Sequence, residues 1–509
     1  MMIKVILLVI FFAVMVAVGI YSRKHAMSVD GFVLGGRSVG PWLTAFAYGT
    51  SYFSAVVFVG YAGQFGWKYG LASTWIGIGN AVIGSLMAWV VLGRRTKVMT
   101  QYLNSKTMPD FFGSRYGSKP LKIAASAIVF VFLVPYTASI YNGLSRLFEM
   151  AFHIPYAWCV IGMAVFTGIY VILGGYMATA INDFIQGIIM LVGIIVVIAA
   201  VLNGQGGFLE AVGKMAEIPS DVEITLGQPG AFTSFFGPDP GNLLGVVILT
   251  SLRTWGLPQI IAKFYAIKDE KSINTGTVIS TVFAIVVSGG CYFLGGFARL
   301  FDAPAIYDEA GAVVYDSIIP HMLSALPDIL IGIVVVLVLS ASMSTLASLV
   351  LTSSSTLTLD FLKDNLLKEM SEKRQVRTMQ VLVIFFIAVS VFIALDPPTF
   401  IAQLMGISWG ALAGAFLAPF LYGLYWKGTT RAGVWASFIV GVGITVVNMF
   451  MPFIESSINA GAAAMLAGLI VVPVVSLITP KLSREKTDAI FSCYEEKVTI
   501  TKKRSLEQN

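Results

Sequence analysis

Charge is what this chain has least of. Only 12% of its 509 residues are Asp, Glu, Lys or Arg, against about 25% in a soluble domain. That deficit excludes an ordinary water-soluble enzyme and a basic nucleic-acid surface. Histidine and cysteine are nearly absent as well. His25, His153 and His321 lie far apart, and Cys159, Cys291 and Cys493 are equally scattered. Neither a metal-ligand cluster nor a disulfide framework is expected. GxxxxGK[ST] and HExxH are both missing, so nucleotide and zinc chemistry have no sequence support. No repeat of about 20 to 50 residues recurs.

What remains is apolar: 57% of the residues are hydrophobic. Stretches of roughly 20 apolar residues cross a bilayer core, and thirteen are read here. Their approximate limits are 3–21, 41–66, 70–93, 123–147, 156–174, 184–203, 241–262, 274–298, 329–358, 378–395, 400–425, 431–451 and 460–479. The first is a retained helix, because no small-residue cleavage site precedes Arg23-Lys24. With the N-terminus outside, the inner segments hold 26 of the 33 Lys and Arg. The basic residues of a polytopic protein concentrate on its cytoplasmic side, so the asymmetry supports an odd number of crossings. The net charge of +6 belongs to these inner loops.

Two of the apolar stretches are broken in the middle. Residues 41–66 are interrupted around Gly49-Thr50-Ser51, and 241–262 around Arg253 to Pro258. In lipid a helix break is tolerated only where it is buried or lines a wet cavity. Two breaks at matching points of two halves mark a transporter's binding site. The connection 204–240, rich in Gly, Pro and acids, reads as a mobile loop ahead of a folded cap. The basic loop 94–120 should carry a short interfacial helix, and the tail from Pro480 a partial one.

The ninth span holds Ala341-Ser342-Met343-Ser344-Thr345-Leu346-Ala347-Ser348. Ala341, Ser344, Thr345 and Ser348 share one helix face by their spacing. One carbonyl beside two hydroxyls suits a desolvated cation, and the same small residues also suit close helix packing. Carbonyls freed at Thr50–Phe53 would complete a five-oxygen sodium cage. Arg253 lies about twelve residues into the seventh span. An Arg at that depth is costly unless paired or hydrated, and is a functional candidate by default. Its planar fork suits a carboxylate, and an internal ion pair, for example with Asp239, is the alternative.

At this point the chain resembles the sodium:solute symporter family. The resemblance covers roughly residues 1–480. It rests on Phe32-Val33-Leu34-Gly35-Gly36-Arg37-Ser38-Val39-Gly40, on Gly174-Gly175 with Asn182-Asp183-Phe184-Ile185-Gln186, on Gly256-Leu257-Pro258-Gln259 with Lys263, and on Ser342-Met343-Ser344-Thr345-Leu346. The bacterial proline and pantothenate branches are nearest. The resemblance implies an all-α polytopic fold of the leucine-transporter type, with two inverted repeats of five helices at 41–203 and 241–425. Segment 1–40 precedes them, the loop 204–240 separates them, and two extra helices (426–479) and a cytoplasmic tail (480–509) follow.

It further implies a sodium-coupled symporter that takes up a small organic solute, a carboxylate or an amino acid, in a bacterial plasma membrane. Na+ would be the coupling ion, and nothing requires more than a monomer in the lipid bilayer. The sodium ligands implied are the carbonyls of Thr50, Phe53 and Ala341 and the hydroxyls of Ser344 and Thr345. Asp183 matches a family acid linked to sodium release; as a residue it reads equally as an acid at a helix start. Tyr136 matches a substrate-side tyrosine or is a packing residue. Trp255 is a gate or a core aromatic. Tyr52 stands where the proline branch carries Asp, so proline recognition does not follow. A solute sensor or channel on the same core is the alternative. The tail is too short for a signalling kinase, no ring of acids marks a channel filter, and no nucleophile–base pair marks an enzyme.

Overall fold

The computed structural model describes residues 2–495 apart from 368 and 398, and leaves the side chains of residues 52 and 365 undescribed. Among the described residues the chain is helical. The helices are α1 Met2–Ser22, α2 Pro41–Tyr52, α3 Val56–Tyr102, α4 Met108–Tyr116, α5 Lys119–Phe152, α6 Tyr156–Gly204, α7 Phe208–Glu217, α8 Pro240–Leu252, α9 Pro258–Ala266, α10 Lys271–Gly295, α11 Tyr315–Ser324, α12 Asp328–Thr356, α13 Glu372–Leu395, α14 Ile401–Tyr425, α15 Arg431–Phe450, α16 Ser457–Ile478 and α17 Arg484–Phe491. Ten are long and apolar enough to cross a membrane, or eleven if the bent pair α8–α9 is one crossing.

Two of them are double length. α3 has 47 residues and α6 has 49, about 70 Å at 1.5 Å per residue. Each is interrupted at a glycine with positive φ: Gly70 (φ 58°) in α3 and Gly175 (φ 55°) in α6. A Cβ on Gly175 would lie 3.0 Å from the Phe32 ring, so space and backbone both demand glycine there. This residue belongs to the Gly174-Gly175 pair noted in the sequence.

α12 and α14 form the buried centre. α12 packs against α5, α6 and α2, and α14 packs against α5, α15 and α16. Their small residues allow close backbones: Gly410 faces Gly461, and Gly414 faces Ala464.

The connections sort to two ends. At one end Arg94 pairs with Glu270 (2.7 Å), Lys106 with Asp30 (2.8 Å), and Lys122 with Asp110, Asp360 and Asp364 (2.8, 3.3 and 2.7 Å). Lys427 meets Asp488 at the same end (2.7 Å). At the other end Arg299 grips Asp221 with two nitrogens (2.6 and 2.9 Å). The basic loops assigned to one side in the sequence thus gather at one end of the bundle, with α4 as the short helix expected in 94–120. Segment 204–240 corrects the sequence reading. It folds as α7 and two short turns over a small core of Ala211, Met215 and Phe232, because Phe208 and its neighbours put an apolar face against Phe293 and Phe297. The tail forms α17, and its part beyond residue 495 lies outside the described residues.

Asp316, on the connecting helix α11, accepts the backbone N–H of Ile401 at the start of α14 (3.2 Å). Burial pushes its carboxyl up from 3.8 to about 6, against that hydrogen bond and Arg146, which pull down. The folded protein then holds a proton that the unfolded chain gives up. Stability from this group is present below about pH 4 and is lost as pH rises through about 6. Melting of detergent-solubilised protein should therefore fall between pH 4 and 7 more steeply in the parent than in Asp316→Asn. Equal slopes would show that Asp316 does not titrate in this window.

Candidate functional site

The first break lies slightly later than the sequence reading placed it. α2 runs unbroken through Gly49-Thr50-Ser51 to Tyr52, and Phe53 is extended (φ −115°, ψ 135°). Thr50 and Ser51 keep their helical turn because their hydroxyls bond back to Phe46 and Ala47 carbonyls (2.8 and 2.6 Å). The chain turns at Ser54, whose carbonyl receives the N–H groups of Val57 and Phe58 (both 3.0 Å), and α3 begins. The carbonyl of Phe53 is thereby released from the helical ladder.

That carbonyl meets α12. Thr345 Oγ1 lies 3.1 Å from the Phe53 carbonyl, 3.1 Å from that of Ala341 and 3.5 Å from that of Thr50. Ser344 Oγ donates to Thr50 Oγ1 (2.8 Å). The Ser342 hydroxyl accepts the N–H of Ala55 just past the break (3.1 Å). All five sequence-proposed sodium ligands converge here. One hydroxyl proton serves one acceptor at a time, so three carbonyls around Thr345 leave lone pairs in excess. A buried cluster rich in neutral oxygens with no charge of its own is suited to a small hard cation.

The second break falls where expected. α8 ends at Leu252, Arg253–Trp255 form a single 3₁₀ turn, Leu257 is extended, and Pro258 starts α9. The two halves bend by 40°. Thr254 Oγ1 and the Tyr48 hydroxyl both reach the Gly84 carbonyl (2.9 and 2.7 Å), tying this break to α2 and α3. Arg253 is fully buried. Its guanidinium lies over the Trp409 ring at 3.7 Å, and its Nε donates to the Thr250 carbonyl (3.1 Å). Tyr48, Tyr61, Tyr136 and Tyr292 stand within its electrostatic reach. Asp239 caps the start of α8 through the Asn242 N–H (3.1 Å).

Tyr136 joins this aromatic group, edge-on to Trp409 at 5.5 Å. Trp255 does not: its indole donates to the Ile83 carbonyl (3.0 Å), which pins the break to α3 and favours the core reading. The side chain of Tyr52 lies outside the described residues. Asp183 is buried inside α6, two turns past Gly175, so its reading as an acid at a helix start is corrected. Lys263 of α9 stands 3.6 Å from it.

Sequence reasoning missed Trp409, Tyr61 and Tyr292. Nothing in their local pattern separates them from the many aromatics of a 12% aromatic chain.

The cavity on the end away from the basic loops has a volume of about 550 Å3, with Gln64, Phe65, Lys68, Asp239, Arg299 and Glu455 among its walls. Phe65 closes its floor against Tyr61 (4.8 Å), and Tyr61 packs on Trp409 (5.2 Å). At the basic end a separate small pocket of about 30 Å3 lies beside Gln259, Lys263 and Ser348.

Residues 32–441 match the model of the sodium:solute symporter family. The chain belongs to that family. It is 30% identical to the sodium/proline symporters of Staphylococcus aureus strains JH9 and NCTC 8325 over 503 residues, 94% of this chain and 93% of theirs. Its fold is that of a solved Na+-coupled sialic acid symporter (TM-score 0.76, 14% identity, 95% of this chain and 99% of that one). A manganese transporter of Eremococcus coleocola is more distant (TM-score 0.50, 12% identity, 86% and 94%). This family member is a sodium-coupled symporter for a small organic solute, not an enzyme, and Na+ is its coupling ion.

Replacing both Ser344 and Thr345 by Ala should raise the sodium concentration for half-maximal uptake by at least about tenfold, the equivalent of about 1.4 kcal/mol, at unchanged protein abundance. An unchanged sodium dependence in the double variant would remove the cage from the account.

Proposed function

We propose that this symporter imports a small carboxylate, an amino acid or a close relative of one, whose carboxylate is received by Arg253. The observation that carries this reading is the buried guanidinium at the break of α8–α9, stacked on Trp409 and ringed by tyrosines. Stacking holds the fork flat, the planar geometry that suits two-point recognition of a carboxylate. Tyr136 and Trp409 supply apolar walls, as a compact aliphatic or heterocyclic body requires. The similarity to a proline symporter agrees with this size and class. Tyr52, in place of the proline branch's Asp, argues against assuming proline itself.

In this reading the chain crosses the membrane thirteen times, with two crossings each in α3 and α6. Helices within 41–203 and 241–425 form two inverted repeats, and the extra C-terminal pair packs on α14. The basic end is cytoplasmic and the N-terminus outside, in a plasma membrane, with one copy of the chain sufficient for transport. Sodium and solute enter by the 550 Å3 vestibule. Sodium occupies the oxygens of Thr50, Phe53, Ala341, Ser344 and Thr345 and clamps the broken second span to α12. The clamp orders the break that faces the solute pocket, so each ligand improves binding of the other. One charge moving through 100 mV adds about 2.3 kcal/mol to the sodium gradient.

Asp183 then receives sodium on the inner route. Inward opening must break the contacts that seal the cytoplasmic end: Lys106 with Asp30, and Arg37 with the carbonyls of Ser105 (2.5 Å) and Tyr265 (3.4 Å).

Arg253→Gln should weaken solute binding by about 2 to 5 kcal/mol, the cost of removing one member of a buried charge pair. That is at least about thirtyfold in half-saturating solute. Sodium binding, followed by 22Na+ retention, should stay measurable. Arg253→Lys keeps the charge, loses the bidentate fork and should still transport poorly. Unchanged solute affinity in Arg253→Gln would make the residue structural and shift the reading to a neutral solute.

A further inference from the structure

The tail helix α17 is short and polar, yet it is seated on the basic end of the bundle. Thr487 and Phe491 of α17 are buried, and so is Cys493 just after it. Asp488, Phe491 and Tyr494 recur every three residues and so share one face. Each of them meets a cation. Asp488 pairs with Lys427 (2.7 Å). The Phe491 ring lies 5.0 Å from the Arg115 guanidinium and 5.7 Å from the Lys427 ammonium. The Arg95 guanidinium lies against the Tyr494 ring (4.5 Å) and the Tyr425 ring (4.2 Å). The Tyr494 hydroxyl reaches the carbonyls of Arg95 (3.4 Å) and Leu424 (3.2 Å).

The receiving surface comes from three elements: Arg95 from the basic end of α3, Arg115 from α4, and Leu424, Tyr425 and Lys427 from the end of α14 and the turn after it. Arg115, only 1% exposed, donates to the carbonyls of Gly423 (2.9 Å) and Trp426 (3.3 Å), which joins α4 and α14 into one wall. α3 meets that wall where Arg95 donates to the Leu424 carbonyl (3.1 Å) and the Tyr425 hydroxyl donates to the Val91 carbonyl (2.6 Å). Tyr494 lies across this seam. The same stretch of α3 also packs against α9, with Trp89 edge-on to Phe264 (5.0 Å). α9 supplies Tyr265, whose carbonyl contact with Arg37 the proposed inward opening breaks.

We propose that the tail is a strap across this seam: seated, it holds the basic end of α3 to α14 and keeps the inner side shut, and lifted, it lets α3 follow α9. This rests on the reading of the basic end as cytoplasmic and of the α9 contacts as those that inward opening breaks. A strap that lifts in every cycle needs weak contacts. An ion pair with both partners more than half exposed and cation–ring contacts at a surface are of that kind. The tail thereby sets how readily the inner side opens, apart from the sodium and solute sites.

Cys493 supplies a reporter in the unmodified chain. Its side chain is buried while the tail is seated, and Cys159 and Cys291 are buried within α6 and α10. The test uses full-length protein in inside-out vesicles and a membrane-impermeant maleimide, with the labelled cysteine identified by mass spectrometry. Labelling of Cys493 should be at least about fivefold slower in sodium than in an equimolar large organic cation, because bound sodium favours the state with its inner side shut. Asp488→Lys should speed labelling in sodium about threefold, the scale of an exposed pair, and adding Lys427→Asp should restore the parental rate. Tyr494→Ala should speed both labelling and solute-free 22Na+ efflux from proteoliposomes about tenfold. If Tyr494→Ala does not fold, the exposed pair still decides the matter, since its reversal leaves the core untouched. Equal labelling of the parent in the two buffers would overturn the proposal. Faster labelling without faster efflux in the variants would also overturn it, by making the tail a passive cover. Labelling from right-side-out vesicles alone would instead remove the cytoplasmic assignment of this end, and the strap with it.

Discussion

Inside a bilayer an interrupted helix leaves carbonyl and amide groups that water does not satisfy, and we propose that this chain turns that liability into its ion site. The interruption at Phe53–Ser54 releases the Phe53 carbonyl toward α12, where Thr345 already shares its one hydroxyl proton among three carbonyl oxygens. Without a cation those oxygens have more lone pairs than donors. In the proposed sodium-bound state the second span and α12 are joined by a charge rather than by a shared hydrogen bond. The Ala55 N–H, held by Ser342, fixes where the interruption ends. In the proposed mechanism solute coupling follows, because the far side of the same break continues into Tyr61 and Phe65, the floor of the vestibule.

The two ends of the bundle are sealed by different means. Toward the vestibule the barrier is a thin set of rings, Phe65, Tyr61 and Trp409. Toward the basic end it is made of charges and backbone: Lys106 on Asp30, Arg37 on two carbonyls, and the Val39 N–H on the Ala266 carbonyl (3.2 Å). The last contact ties the start of α2 to the end of α9. Halves of both broken spans are thus held by one small region.

Most of the fold was legible in the sequence because hydrophobic length and charge asymmetry are global signals. The gathering of the basic loops at one end, the helix α4 in a basic loop and the second break at Arg253 all follow from them. The meeting of the first break with α12 was legible because small hydroxyl residues at helical spacing sit opposite an interruption, and the family motif named the same residues; their service as sodium ligands is the proposal made above. Other features were set by contacts between distant parts of the chain. The first break shifted to Phe53 because Thr50 and Ser51 bond back into their own helix. Segment 204–240 folds because its apolar face, through Phe208, finds Phe293 and Phe297, more than eighty residues away. Trp409 becomes the platform for Arg253 only when α14 packs beside α8, and its sequence surroundings carry no sign of that.

The central claim is that sodium joins the break at Phe53 to α12. Hydrogen–deuterium exchange of the purified protein in sodium, compared with an equimolar large organic cation, tests it most directly. Sodium should slow exchange of the amides at 53–58 and at 341–348 together, and the slowing should vanish in the Ser344→Ala/Thr345→Ala variant. Sodium-dependent protection elsewhere, with these two segments unchanged, would contradict the account.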